Sequence, residues 1–354
     1  MKRILVFNFF GGVMDRGIPL YAQDMVTCLR RVGMEAVELR CPASLRGAPQ
    51  FVRNFLFVLF EQIVAPIMRV AKGCALTVYP YNSVGVLDSL LGRSVLVIHD
   101  LIPNHRSDRR LAARYIRSTQ AMHRALRRSV CAASPHTLAQ LHRLPAFHRC
   151  NVRLWSNPFY AFEEAFKRAG VQRRARSGNV KRVLLCSGMG RNKDYAGAIK
   201  LFRRSKRLAD AELRIIGFGD DAKLARRRVM RLPYDVRTRI RILTRLELAQ
   251  VVEEYASADL VWVHSKKEGF GRCVVEALLA HRPVIASDIG AFRKLAHQGL
   301  FLYRPNGLDA SVAAALSRTH ECGMSFENYH APLEDAVREV ILEHENRRAA
   351  GRGK

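Results

Sequence analysis

Acidic residues are scarce in this chain, closely spaced cysteine pairs are absent, and no apolar run is both long and uninterrupted. Each lack removes a class of protein. The 354 residues hold 31 Asp and Glu against 59 Lys and Arg, a formal charge of +28. A chain so short of acid is drawn to polyanions, whether nucleic acid, anionic lipid headgroups or diphosphates. The eight cysteines, at 28, 41, 74, 131, 150, 186, 273 and 322, form no Cys-x-x-Cys pair. With no signal peptide ahead of them, they read as reduced thiols in a cytoplasm rather than as a disulfide framework. Neither zinc-finger spacing nor an RNP-like aromatic strand accompanies the positive charge, so nucleic acid is not expected as a partner. No Asp-x-Asp element is placed to hold a divalent ion, and there is no short-period repeat.

What is present points to a folded protein with two α/β domains. An apolar fraction of 49% argues against wholesale disorder, and the length allows two separate cores. The charge is spread: the first 157 residues carry 22 basic and 8 acidic side chains, the remainder 37 and 23. One local excess stands out between Arg106 and Arg153, where eleven arginines face a single acid, Asp108. Many are three or four apart, so a helix there carries a basic stripe, either a solvated face or a surface for an anionic membrane. The most apolar stretch, Phe51 to Val70, is broken by Arg53, Asn54, Glu61, Gln62, Pro66 and Arg69. That interruption argues against a spanning helix and for an amphipathic one, in the core or in a membrane interface.

Strand and helix alternate twice over. Strands are expected near Ile4 to Asn8, Ala36 to Leu39, Ala75 to Tyr79, Ser94 to His99 and Ser129 to Ala132, the pattern of a doubly wound sheet. Trp155-Ser-Asn-Pro158 breaks the pattern, because proline lacks a donor and restricts its predecessor. A second series follows at Arg182 to Cys186, Glu212 to Ile216, Ile240 to Leu243, Leu260 to Val263 and Pro283 to Ala286. The domains are therefore read as 1–157 and 158–325, with 326–354 a helical segment and basic tail packing back toward the first.

Ligands of such sheets bind beyond the carboxyl ends of the strands. Gly11 and Gly12 follow the first strand, and paired glycines let a backbone approach a phosphate or sugar closely. His99-Asp100 follows the fourth strand, where a histidine can donate or accept near neutrality. Ser187-Gly-Met-Gly-Arg-Asn-Lys193 puts glycines and two cations at a turn suited to a diphosphate. The same turn also reads as a solvated basic loop. Most informative is Glu268-Gly-Phe-Gly-Arg-Cys-Val-Val-Glu276, two carboxylates around a glycine turn just after the Leu260 to Val263 strand. Carboxylates suit vicinal diols, since they accept hydrogen bonds without offering competing donors.

These elements together resemble the family 4 glycosyltransferases. The resemblance is carried by Tyr255-Ala-Ser-Ala-Asp259, Ser265-Lys-Lys-Glu268-Gly-Phe-Gly271, Glu276-Ala277 and Pro283-Val-Ile-Ala-Ser287, and further by His99-Asp-Leu-Ile-Pro103 and Arg16-Gly-Ile-Pro-Leu-Tyr21. It implies the GT-B fold, α/β with two Rossmann-like doubly wound domains facing across a cleft, and sugar transfer with retention from a nucleotide diphosphate sugar. Gly12 is then expected against the donor diphosphate or sugar, and His99 on the transferred sugar. Arg191 and Lys193 neutralise the leaving diphosphate, Glu268 with the amides of Phe270 and Gly271 holds the sugar hydroxyls, and Glu276 binds the ribose. No metal and no cofactor beyond the nucleotide sugar are expected. The sequence departs from the family pattern at Arg191, which stands two residues before Lys193 where the family's arginine lies further ahead. It departs again at Arg272-Cys273, His264, His281-Arg282 and Lys294. The charge and the Phe51 to Val70 segment suggest a glycan or lipid-linked acceptor at the inner face of a bacterial membrane. A nucleotide-sugar epimerase or a phosphorylase with the same two-domain cleft, and a non-catalytic anion-binding protein, are the rival readings.

Overall fold

The computed structural model describes residues 2–12, 17–101, 110–170, 182–187, 192–217, 222–318 and 323–352. Two compact units divide the chain, residues 1–160 with 329–354 and residues 161–328. The sequence-based boundaries at 157 and 325 fall just short of these. Phe159 and Tyr160, beyond the Pro158 break, are still buried in the first unit, Tyr160 in the core built around the first long helix.

The first unit holds six strands, β1 (Arg3–Asn8), β2 (Glu35–Arg40), β3 (Leu76–Tyr79), β4 (Ser94–Ile98), β5 (Ser129–Ala132) and β6 (Val152–Leu154), in the order β2-β1-β3-β4-β5-β6. The second holds β7 (Arg182–Cys186), β8 (Glu212–Ile216), β9 (Ile240–Ile242), β10 (Leu260–Val263), β11 (Val284–Ser287) and β12 (Leu300–Tyr303), in the order β12-β11-β10-β7-β8-β9. Every pairing is parallel. Parallel sheets are covered on both faces, which explains the continuous apolar runs of the central strands. β6 and β12, which the sequence reading did not find, are edge strands. Three residues containing an arginine give β6 no pattern, and β12 is only half-buried.

Alternation along β1 distributes its side chains between two cores. Ile4 and Val6 face α1 (Ile18–Arg31) and the C-terminal helix Phe326–Arg352, whose Leu333, Val337, Val340 and Ile341 are buried there. Leu5 and Phe7 face the opposite side, covered by α2 (Gln50–Leu59), a π turn (Phe60–Val64) and α3 (Ala65–Ala71). Phe57 of α2 packs edge-on against Phe7, Phe9 and Tyr81 and stacks on Phe10, geometries that aromatic rings favour.

Two buried carboxylates fasten this helical run. Glu61 accepts from Ser83 Oγ at 2.7 Å, from Gln62 Nε2 at 3.2 Å and, in a short contact, from the Tyr115 hydroxyl. Asp88, on α4 (Val86–Leu90), takes Arg69 Nε at 2.7 Å, Thr77 Oγ1 at 2.6 Å and Tyr79 Oη at 2.8 Å. Its carboxylate is satisfied on both oxygens. Removing Arg69 while leaving that buried charge is expected to cost about 3–5 kcal/mol, as read from the denaturant midpoint of Arg69→Met.

Candidate active site

β7 and β10 are parallel neighbours, Leu184 beside Val261 and Leu185 beside Trp262, so the loops beyond their carboxyl ends emerge side by side. One loop carries Lys193 and the other Glu268. Lys193 Nζ lies 2.7 Å from Glu268 Oε1, and Ser265 Oγ donates to the same oxygen at 2.7 Å. Backbone ties hold the loops together: Lys266 N–H donates to the Asn192 carbonyl at 2.7 Å, and Asn192 Nδ2 to the Lys267 carbonyl at 3.3 Å. Burial pulls the Lys193 pKa down, but the adjacent Glu268 carboxylate outweighs it and the net shift is upward. The ammonium therefore stays charged across the neutral range. Arg191 lies outside the described residues.

A second link was not legible in the sequence. Asp194 takes a left-handed conformation, φ 37°, between Lys193 and the helix Tyr195–Arg204. Its carboxylate receives Lys266 Nζ at 3.0 Å and lies 3.6 Å from His264 Nε2. A side chain at Gly197 would stand 2.6 Å from Asp194 Oδ2, so glycine there leaves the carboxylate room to fold over the helix start. Nδ1 of His264 is held by the Tyr303 hydroxyl, which also accepts from Trp262 Nε1 at 2.8 Å. Burial lowers the His264 pKa, so the ring is neutral at physiological pH. His264 stands where the family's proline is common. Here it props the residue next to Lys193.

Beyond Glu268 the chain turns at Gly271, φ 97°, which caps the helix Arg272–Leu279. A Cβ at this position would meet Phe292 Cε1 at 2.4 Å. Gly271→Ala is therefore expected to cost about 1–3 kcal/mol in unfolding free energy, from the left-handed backbone and the clash together. Phe270 is buried beside the turn. Within the helix, Glu276 accepts from the Tyr255 hydroxyl at 2.9 Å and pairs with Arg272 Nε at 3.5 Å. The i, i+4 spacing of Arg272 and Glu276 was the available signal for that pair. Tyr255 lies in one of the segments that carry the family resemblance, but nothing local announces its contact with Glu276; its hydroxyl also lies 3.3 Å from Cys186 Sγ. Cys186, hydrogen-bonded to Cys273 and buried, has its thiol pKa pushed well up.

In the first unit, Gly12 closes a short 3₁₀ turn, Phe9–Gly12, after β1, and His99 follows β4. The His99 backbone is clamped: its N–H donates to Asn82 Oδ1 at 2.6 Å, and its carbonyl accepts from Thr137 Oγ1 at 2.7 Å. Its ring stands edge-on to Tyr21, with centroids 4.5 Å apart. Thus Lys193, Glu268, Phe270 and Gly271 gather on two adjoining loops of the second unit, with Glu276 on the helix that follows, while Gly12 and His99 lie at strand ends of the first. Among the described residues, no group of three or more His, Cys, Asp or Glu side chains could hold a metal ion.

Residues 171–350 match the family model described as glycosyl transferases group 1. The chain belongs to this family. Solved structures share the architecture of this group 1 glycosyl transferase. Sucrose-phosphate synthase from Thermosynechococcus elongatus superposes with a TM-score of 0.66 at 15% identity, covering 100% of both chains. HepE of Anabaena, solved with UDP and glucose, gives 0.60 at 18% identity over 99% of this chain and 100% of its own. WaaG, a glycosyltransferase involved in lipopolysaccharide biosynthesis, gives 0.58 at 14% identity over 97% and 99%. These likenesses establish the GT-B fold. No curated protein matches the sequence.

Proposed function

We propose that this group 1 glycosyl transferase moves a hexose, mannose or a related sugar, from a nucleotide diphosphate sugar to a hydroxyl of a glycan or lipid-linked acceptor, with retention at the anomeric carbon. The observation that carries the reading is the Lys193–Glu268 pair at 2.7 Å. A cation suited to a departing diphosphate and a carboxylate suited to sugar hydroxyls sit side by side. In the reaction the bond from the anomeric carbon to the diphosphate oxygen breaks, and the acceptor oxygen bonds to that carbon on the same face. The acceptor proton passes to the departing phosphate oxygen. Lys193 stabilises the charge that develops there, a role that needs no divalent ion. Arg191 is assigned a share of that task. Glu268 and the amides of Phe270 and Gly271 orient the sugar, Glu276 binds the ribose, and Gly12 and His99 take the diphosphate and sugar roles implied by the family pattern.

HepE structures hold UDP and UDP-glucose, and WaaG serves lipopolysaccharide synthesis. By analogy, the reading places this enzyme on the cytoplasmic side, building a bacterial surface polysaccharide or lipopolysaccharide. The experiment is a thermal-shift screen of nucleotide sugars. A donor at 100 times its Kd is expected to stabilise the protein by about 2.7 kcal/mol. Absence of any shift across the uridine, guanosine, adenosine and cytidine diphosphate sugars and CMP-sugars would sink the proposal. With the donor found, hydrolysis and transfer to added acceptors, against interconversion of the sugar alone, separate a transferase from an epimerase.

A further inference from the structure

One face of the first unit carries an apolar surface that the donor chemistry does not use. Along α2, the π turn and α3, Phe51, Phe55, Val58, Ile63, Ile67 and Val70 are each between 37% and 74% exposed. Their spacing is four and three residues before the π turn, five across it, then four and three again. In an unbroken α-helix a five-residue step would swing Ile63 about 140° from Val58, but a π turn absorbs one extra residue, about 100° of that rotation. The π turn at Phe60–Val64 thus keeps the six side chains in a single stripe. Gln50–Ala71 is long and apolar enough to cross a membrane. Its opposite face, however, is tied into the unit through Phe57, Glu61 and Arg69, so the helix lies along the surface.

Neighbouring elements extend this face. Gln62 accepts from the N–H of Val86, bringing α4 alongside, and α4 and the residue after it expose Leu87, Leu90 and Leu91. Gln62 also donates to the Tyr115 hydroxyl of α5 (Arg110–Ala125), whose first turn exposes Leu111. Cations rim the surface. Arg114 and Arg117 are exposed on α5, which contains no acid. Arg128 donates to the carbonyls of Ser89 and Leu90, which sets its guanidinium beside the exposed Leu90 and Leu91. The two acids of the apolar elements, Glu61 and Asp88, are fully buried and hydrogen-bonded inward.

We propose that this face lies on a lipid bilayer bearing anionic headgroups, with the stripe entering the acyl boundary and the arginines meeting lipid phosphates. The proposal goes beyond the sugar-transfer reading and does not rest on it. An apolar ridge flanked by exposed arginines on an acid-free helix fits a fluid anionic surface, which supplies apolar depth and negative charge over the whole length.

The test is flotation of the full chain with vesicles of phosphatidylcholine alone and with added phosphatidylglycerol, at 0.15 M salt. Binding is expected to the anionic vesicles and to be at least about tenfold weaker to the neutral ones. Phe55→Glu with Ile67→Glu is expected to lower binding to both at least about tenfold, and Arg114→Glu with Arg117→Glu to remove the preference for phosphatidylglycerol. Far-UV circular dichroism and a cooperative thermal transition like the parent's show that these variants fold, and neither readout depends on a nucleotide sugar, so this test stays separate from that of the catalytic reading. The proposal is overturned if neither vesicle binds, if the Phe55 and Ile67 variant floats like the parent, or if the protein is a dimer in solution that this variant dissociates.

Discussion

Replacing Lys193 by methionine is expected to lower kcat by about 10²–10³-fold, the scale seen when one preorganised donor to a developing oxyanion is lost. Methionine keeps the stem length and removes the charge. Because Lys193 pairs with Glu268 at 2.7 Å, the variant also leaves that carboxylate without its cation. The double variant Lys193→Met, Glu268→Gln separates the two effects. The glutamine side chain carries no charge and can still accept from Ser265 Oγ, so the double variant is expected to melt above Lys193→Met alone. Its kcat is expected to be no higher, because the role proposed for the missing cation is on the leaving group. The raised Lys193 pKa adds a pH criterion: no loss of kcat between pH 6 and 9 is expected from this residue. A Lys193→Met enzyme within threefold of the parent kcat would rule out the assigned role.

The parts of this site legible in the sequence are those in which one local segment contains both the chemistry and its scaffold. Glu268 to Glu276 includes its own strand exit, its left-handed glycine and its helix start, so periodicity and glycine placement located it. The supports were hidden because they join residues far apart in the chain. Asp194, His264 and Tyr303 come from three loops or strands, and His264, a departure from the family pattern in the sequence, is explained only by its contacts with Asp194 and Tyr303. The helix Phe326–Arg352 poses the same problem: its apolar residues complete the core beside α1, more than 300 residues earlier. The Phe51 to Val70 stretch gave mixed signals for a physical reason. A π turn shifts the helical phase midway, so no single period describes both halves.

Glu61→Gln is expected to expose a pH dependence of stability that the native protein conceals. Burial raises the Glu61 pKa from 4.5 to about 7, against hydrogen bonds from Tyr115, Ser83 and Gln62 that oppose the rise. Between these values the folded state holds a proton that the unfolded chain releases, so this residue's stabilisation falls as pH increases. His123 does the reverse. Burial lowers its pKa from 6.5 to about 4, and its ring nitrogens contact Ser89 Oγ at 2.9 Å and the Ser129 carbonyl at 2.9 Å. Between those values the unfolded chain binds a proton that the folded state excludes, so stability rises with pH. The two windows overlap from about pH 4.5 to 6.5, where slopes of about 1.4 kcal/mol per pH unit and opposite sign cancel. Relative to the parent, Glu61→Gln is expected to gain about 2–3 kcal/mol from the lower to the upper end of this window, and His123→Gln to lose a similar amount. The chain has two tryptophans, Trp155 in the first unit and Trp262 in the second. In a Trp262→Phe background, Trp155 fluorescence therefore reports unfolding of the unit that contains both groups. Parallel pH profiles for the parent and both variants would show that neither group has the shifted pKa its burial demands.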